Sequence, residues 1–118
     1  MPEEINLAGK FALIDEHWSP RLAARYNGNE VRPAKASGDF HWHSHPDTDE
    51  LFLVVEGHLE IDFRERTARL APGDMIVVPR GTEHRPRVPQ GEVSMLVIDA
   101  EGTPNTGDPG TAKVVTAI

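Results

Sequence analysis

From Gly38 to Gly57 the chain reads Gly-Asp-Phe-His-Trp-His-Ser-His-Pro-Asp-Thr-Asp-Glu-Leu-Phe-Leu-Val-Val-Glu-Gly, and three of its six histidines stand at positions 41, 43 and 45. Alternate side chains of a strand share one face, so His41, His43 and His45 are expected to point the same way. Pro46, Asp47, Thr48 and Asp49 write a turn. Glu50 follows, and a second strand from Leu51 to Glu56 runs back until Gly57 ends it. Imidazoles on one strand and a carboxylate at the start of the next can converge on one point, and divalent transition metals accept that donor set. A further donor lies downstream. Residues 73–84 read Gly-Asp-Met-Ile-Val-Val-Pro-Arg-Gly-Thr-Glu-His: a strand from Met75 to Val78, a tight turn at Pro79-Arg80-Gly81, then His84.

The rest of the chain reads as a series of short strands. Asn6 is placed to cap a short helix within residues 5–14, where Leu7, Lys10, Phe11 and Ile14 fall at helical spacing and Gly9 weakens the pattern. Asn27-Gly28-Asn29 marks a hairpin turn. Strands are expected over residues 31–37, 40–45, 51–56, 59–63, 67–70, 75–78, 84–88 and 93–99, with Gly38, Gly57, Pro72-Gly73 and Pro89-Gln90-Gly91 as breaks. Many short strands punctuated by 10 Gly and 10 Pro predict an all-β sandwich or barrel. Residues 101–111 form a loop, and 112–118 read equally as a terminal strand or a frayed end.

At 118 residues, 1–118 is read as one domain, with a core barrel over about 20–100 and a C-terminal loop and tail over 101–118. The chain has no cysteine, which excludes disulfides and thiolate metal sites and leaves His, Asp and Glu to hold any metal. A formal charge of −7, from 19 acidic and 12 basic residues, argues against nucleic acid and anionic membranes as partners. No apolar run approaches spanning length, Met1-Pro2-Glu3-Glu4 carries no basic-then-apolar leader, and a cytoplasmic location is expected.

The two histidine-bearing stretches resemble the paired motifs of the cupin superfamily. His43, His45, Glu50 and Gly57 match the first motif, and Gly73, Pro79, Gly81 and His84 match the second. Gly38 lies one residue nearer His43 than the usual pattern, and Val88 stands where that pattern ends in Asn; neither is a ligand position. More loosely, nearly the whole chain is similar to small single-domain cupins labelled mannose-6-phosphate isomerase-like, including Asn105-Thr106-Gly107-Asp108 in the tail. The resemblance implies a double-stranded β-helix, the cupin jelly-roll barrel, after a short N-terminal helix. It implies one divalent transition-metal ion, among Fe, Mn, Zn and Ni, on His43, His45, Glu50 and His84. Only the 43/45 pair keeps the family spacing to Glu50, so His41 is expected either to support the ligand residues from behind or, with Phe52, to line the substrate pocket.

Buried in a small barrel, three imidazoles and a carboxylate would carry a large desolvation cost that a bound cation removes. Three His and one Glu leave positions open on a six-coordinate metal for a small molecule with two oxygens. The expected function is therefore a metal-dependent enzyme of isomerase or dioxygenase type acting on an oxygen-rich substrate. The alternative is a non-catalytic binder of metal, sugar or a small acid, since cupins include both. Arg80, Arg85 and Arg87 cluster near His84, and a solvated rim is favoured over an anion clamp. If Glu50, Phe52 and Val54 face inward, then Leu51, Leu53 and Val55 face outward, and a strand apolar on both faces must be covered on both. With little helix to do this, a homodimer is expected to cover the outer face.

Overall fold

The computed structural model describes residues 1–118. Helix α1 (Leu7–Phe11) is half the expected length. Asn6 caps it, its side-chain oxygen accepting the Gly9 N–H at 2.7 Å. Everything after it is β-structure: β1 (Arg21–Leu22), β2 (Ala24–Tyr26), β3 (Asn29–Asp39), β4 (Glu50–Glu56), β5 (Leu59–Asp62), β6 (Thr67–Leu70), β7 (Met75–Val78), β8 (Arg85–Ala100) and β9 (Thr116–Ala117). The expected all-β jelly-roll barrel behind a short helix is the fold observed. No helix is long and apolar enough to cross a membrane.

Strand β8 is the hub. The main sheet runs β2-β3-β8-β4-β7, and β8 also pairs β5, which pairs β6. The later part of β8 lies between β3 and β4, with Val31↔Ile98 on one side and Leu51↔Ile98 on the other. Its first part pairs the end of β3 (Asp39↔Arg87) and β5 (Ile61↔Pro86), which folds the sheet over. The turn expected at Pro89-Gln90-Gly91 is a bulge within this one strand. The register steps from Ala36↔Val93 to Gly38↔Val88, and the Ser37 hydroxyl donates to the Gly91 carbonyl at 2.8 Å.

Two further expectations are corrected. Gly38 does not break a strand, because β3 continues through it to Asp39. The strand expected over Phe40–His45 does not form. Phe40 N–H still reaches the Pro86 carbonyl at 2.9 Å, and His43 exchanges both backbone hydrogen bonds with His84 at 3.0 and 2.9 Å. The ladder is confined to those contacts, because the flank at Ser44 is packed by the C-terminal loop rather than by a strand. The terminal residues, left open by the sequence, close a small parallel pair, Arg21↔Thr116 and Leu22↔Ala117.

Along β4 the alternation holds. Glu50, Phe52 and Val54 are buried, while Leu51, Leu53 and Val55 are partly or largely exposed. Phe52 and Val54 join Ala36, Leu59, Ile61 and Val93 in the barrel core. Part of the outer face is covered by the chain itself: Phe11 and Ile14 pack on Leu96, with Leu53, Val31 and Ile118 at the margin. Near β7 the face stays open, and Met75 and Val77 are 64% and 50% exposed.

Removing the ring that anchors α1 tests this cover. Phe11→Ala is expected to lower stability in urea by about 3 kcal/mol, the lower end for a buried aromatic. A loss below about 1 kcal/mol would mean the helix does not seal the sheet.

Candidate metal centre

The site is assembled where three elements meet at one end of the barrel. Glu50 opens β4 and points inward because Phe52 and Val54, on the same face, belong to the core. His84 immediately precedes β8 and is tied to His43 by their paired backbone hydrogen bonds. His45 is tied to the Pro79-Arg80-Gly81 turn, its carbonyl accepting the Gly81 N–H at 2.8 Å. The segment carrying His43 and His45 is thus held by the second motif and not by a strand ladder.

His43, His45, Glu50 and His84 each offer a donor atom, and the four atoms lie within 4.8 Å of one another. Donors around a metal at about 2.1 Å lie about 3–4 Å apart, so the cluster is close to coordination size. His45, Glu50 and His84 are 3%, 4% and 0% exposed. Glu50 stands between two imidazoles, with Oε1 3.1 Å from His84 Nε2 and Oε2 3.3 Å from His45 Nε2. His43 Nδ1 donates to the His41 carbonyl at 3.0 Å and His84 Nδ1 to the Thr82 carbonyl at 2.9 Å, when each carries its proton there. In that tautomer each Nε2 carries a lone pair that can ligate, the orientation in which metal-binding histidines are held, and the 3.1 Å approach of His84 Nε2 to Glu50 Oε1 is then a contact between two lone-pair donors rather than a hydrogen bond.

The test of fit is His45. Neither of its ring nitrogens has a hydrogen-bond partner, and the 3.3 Å approach to Glu50 lacks hydrogen-bond geometry. A buried imidazole without a partner is costly. A cation at the centre of the four donors would satisfy it, so this set could hold a metal ion.

The electrostatics agree. Burial drives the His43 pKa down to about 4, so this ring is neutral at pH 7. Burial also opposes a charge on His45, but the Glu50 carboxylate beside it outweighs this and raises the pKa above the ordinary histidine value. Burial acts against the Glu50 carboxylate too, yet the imidazoles of His45 and His84 beside it hold it well below the usual range.

The other residues singled out from the sequence separate. Phe52 lines the cavity beside the four donors, its ring centroid 6.1 Å from that of His84. His41 does not share the interior face with His43 and His45. Its ring is exposed, stacks on Phe40 at 4.1 Å, approaches the Thr106 carbonyl at 3.3 Å, and lines a groove outside the cavity. The reason is the missing strand: without a ladder, alternation does not fix the His41 side chain. Arg80 pairs with Asp49, and Arg85 and Arg87 pair with Asp62, so these arginines form a rim.

Several lining residues were not assigned to the site from sequence, Trp18 and Asn105 among them. Trp18 and Asn105 border both the cavity and the groove. Trp18 precedes the barrel and Asn105 follows it, so no spacing rule ties either to the histidine motifs. The tail also supports the site directly. Gly107 has φ +79°, and a Cβ there would lie 2.5 Å from the Ser44 carbonyl oxygen, between His43 and His45.

An antiparallel barrel with an inward cluster of three histidines and one glutamate is the class that fold and site define. Residues 30–100 match the Cupin domain family, and the chain belongs to it. It is 42% identical to a cupin-2 domain containing protein from Shewanella frigidimarina, over 82% of this chain and 94% of that one, with a TM-score of 0.80. It is 34% identical to protein NMB1881 from Neisseria meningitidis, over 84% and 100% of the two chains, with a TM-score of 0.75. It is also 50% identical over 62 residues to the uncharacterized protein YdbB of Bacillus subtilis, a match spanning 52% of this chain and 55% of YdbB.

Gly107→Ala is expected to lift the tail from Ser44, because any side chain there meets backbone in a conformation that non-glycine residues resist. Limited proteolysis should then cut within residues 101–115 at protease levels that leave the wild type intact. Equal resistance would show that the tail is not held by this contact.

Proposed function

We propose that this protein is a metal-dependent cupin that binds a small molecule through two oxygens at an ion held by His43, His45, Glu50 and His84. The observation that supports it best is the buried, unpartnered His45 within a four-donor cluster. Among Fe, Mn, Zn and Ni, all accept this mixed nitrogen and oxygen set. A bound ion of this kind supplies Lewis-acid polarisation of a substrate oxygen, or redox chemistry if it is iron. The chain's own residues do the rest. The Thr82 and His41 carbonyls orient two imidazoles. Phe52, Met95 and Val97 keep one side of the cavity apolar, which strengthens the electrostatic interactions of the groups inside. Glu50 lines the cavity and is the one acid–base group there besides His43, so it is the residue placed to accept a proton in an isomerase or dioxygenase type reaction.

A second reading, a non-catalytic binder of a small ligand, is favoured by that same inventory. Beyond the four donors, the cavity offers no separate acid or base to share the chemistry.

We also propose that the open face near β7 is covered by a second copy. Leu51↔Val77 and Leu53↔Met75 place four apolar side chains on one outward face of β4 and β7, and β7 ends the main sheet. Light scattering at micromolar concentration should give twice the monomer mass, and Val77→Lys should halve it. A stable wild-type monomer would contradict the dimer.

His84→Ala and Glu50→Gln should each weaken metal binding by about 100-fold or more, measured by chelator competition. Unchanged metal content in both would show that the ion lies elsewhere. Binding should also weaken on acidification. Protons stabilise the metal-free state once a ligand histidine takes one up, and His45, held above the ordinary histidine pKa, does so before His43. Affinity should therefore fall as the pH drops below the raised His45 pKa, by about tenfold per pH unit for that one proton. His43, with its pKa near 4, adds to the loss only in stronger acid. Affinity constant between pH 7 and 5 would contradict His45 as a ligand.

A further inference from the structure

The cavity beside the four donors is small and almost without polar partners. Its volume is about 40 Å³, room for roughly two or three waters. Trp18, Phe40, Phe52, Met95 and Val97 supply much of the apolar wall, and the polar groups are His43, Glu50 and Asn105. Asn105 is largely committed: its Oδ1 accepts the Lys113 N–H at 3.1 Å and its Nδ2 donates to the Trp18 carbonyl at 3.3 Å. One side-chain N–H remains for a ligand.

No cation lines this cavity. The arginines nearest the second motif are turned to carboxylates: Arg80 to Asp49, Arg85 to Asp62, and Arg87 to Asp62 and Glu60. Arg32, fully buried, is tied to Glu30 and to the Thr103 carbonyl. Lys113 reaches the adjoining groove, but its ammonium sits 3.4 Å from the His17 carbonyl and 4.0 Å from the Glu16 carboxylate, and Asp108 lines the same groove.

Trp18 gives an independent indication. Its φ is +57°, a conformation that a bulky side chain adopts only when the surroundings impose it. Three hydrogen bonds do so: its N–H to Lys35 O at 2.9 Å, its indole N–H to Ser37 O at 2.9 Å, and its carbonyl from Asn105. With the indole nitrogen spent on Ser37, the ring has no polar atom left for a ligand. It stacks on Phe40 at 4.9 Å, Phe40 stacks on His41 at 4.1 Å, and the edge of Phe40 meets the His43 ring at 5.3 Å. This row of rings runs from the metal ligands out to the groove, which Trp18, Phe40 and Asn105 share with the cavity.

Resting on the metal reading above, we propose that cavity and groove form one two-part site for an uncharged oxygen chelator carrying a flat apolar body. The two oxygens of a small dicarbonyl or hydroxyketone head meet the ion, and the body lies along Trp18 and Phe40. A phosphorylated sugar does not fit. Its phosphate finds no cation in the cavity and, in the groove, only the Lys113 ammonium, already set against the His17 carbonyl and the Glu16 carboxylate, and each hydroxyl buried without a partner weakens binding roughly tenfold.

Calorimetric titration of metal-loaded protein with three probes tests this: acetylacetone, benzoylacetone (the same head with a phenyl body) and fructose 6-phosphate. Benzoylacetone should bind at least about tenfold tighter than acetylacetone, since a buried phenyl ring adds that much or more. Fructose 6-phosphate should bind far more weakly than either. Trp18→Ala should bring the benzoylacetone to acetylacetone ratio to within about twofold of one while metal content stays at the wild-type level. Phe40→Leu carries the same expectation if Trp18→Ala does not fold. A metal-loaded protein that binds both diketones equally, that keeps its preference in these variants, or that prefers the sugar phosphate overturns the two-part site and leaves the metal reading standing. A wild type that takes up no metal overturns both.

Discussion

A carboxylate buried between two imidazoles is the constraint to which the rest of this barrel answers. Glu50 cannot lose its water without replacement partners; His84 stands at 3.1 Å, while His45, at 3.3 Å, lacks hydrogen-bond geometry. That arrangement needs the start of β4, the residue before β8 and the irregular segment between β3 and β4 to meet at one point. The hub position of β8, the His43–His84 backbone pair and the hydrogen bond from Gly81 to His45 each serve that meeting. Even so, the partners are incomplete in the protein alone, since His45 keeps unpaired nitrogens. A site that leaves this much polar capacity unused at its centre is built to be completed by something else.

The charges behind the site follow the strand register. Glu30 pairs with Asp99, and the Leu51↔Ile98 pairing sets Asp99 beside Glu50, so acids from three neighbouring strands lie in one row. Arg32, fully buried, offsets two of them, 3.6 Å from Asp99 and bonded to Glu30. Burial, together with the adjacent Glu50 carboxylate, pushes Asp99 up to about 7 against the pull of Arg32. Arg32 also donates to the Thr103 carbonyl, which ties this buried row to the C-terminal loop. The loop in turn touches Ser44 through Gly107. Tail and site are thus one packed unit, although residues 101–111 read from sequence as a loop, with only the looser resemblance at Asn105–Asp108 to mark it.

Much of this was legible in the sequence, and the exceptions share a cause. The spacing of His43, His45, Glu50 and His84 placed four residues that the fold does bring together. Alternation along β4 correctly assigned its two faces, because core packing enforces the period there. It failed over residues 40–45, where no ladder fixes the backbone, so the His41 ring leaves the face it was expected to share while its carbonyl meets the His43 ring. Pro89 and Gly91 read as a turn but form a bulge, since composition marks a departure from the ladder without saying whether the strand resumes. Trp18, Arg32 and Asp99 carry no signal in the sequence, and Asn105 only that of the looser resemblance in the tail, because their roles arise from contacts between distant segments. The small helix was visible, but its use as a lid on the outer face depends on Leu96, far along the chain.

The central claim, that His43, His45, Glu50 and His84 surround one ion, is tested most directly by X-ray absorption at the metal edge of the purified protein. The account predicts three imidazole nitrogens and carboxylate oxygen at about 2.0–2.2 Å, with one imidazole lost in the His45→Ala protein. A spectrum without imidazole scattering, or one unchanged by that substitution, would contradict it.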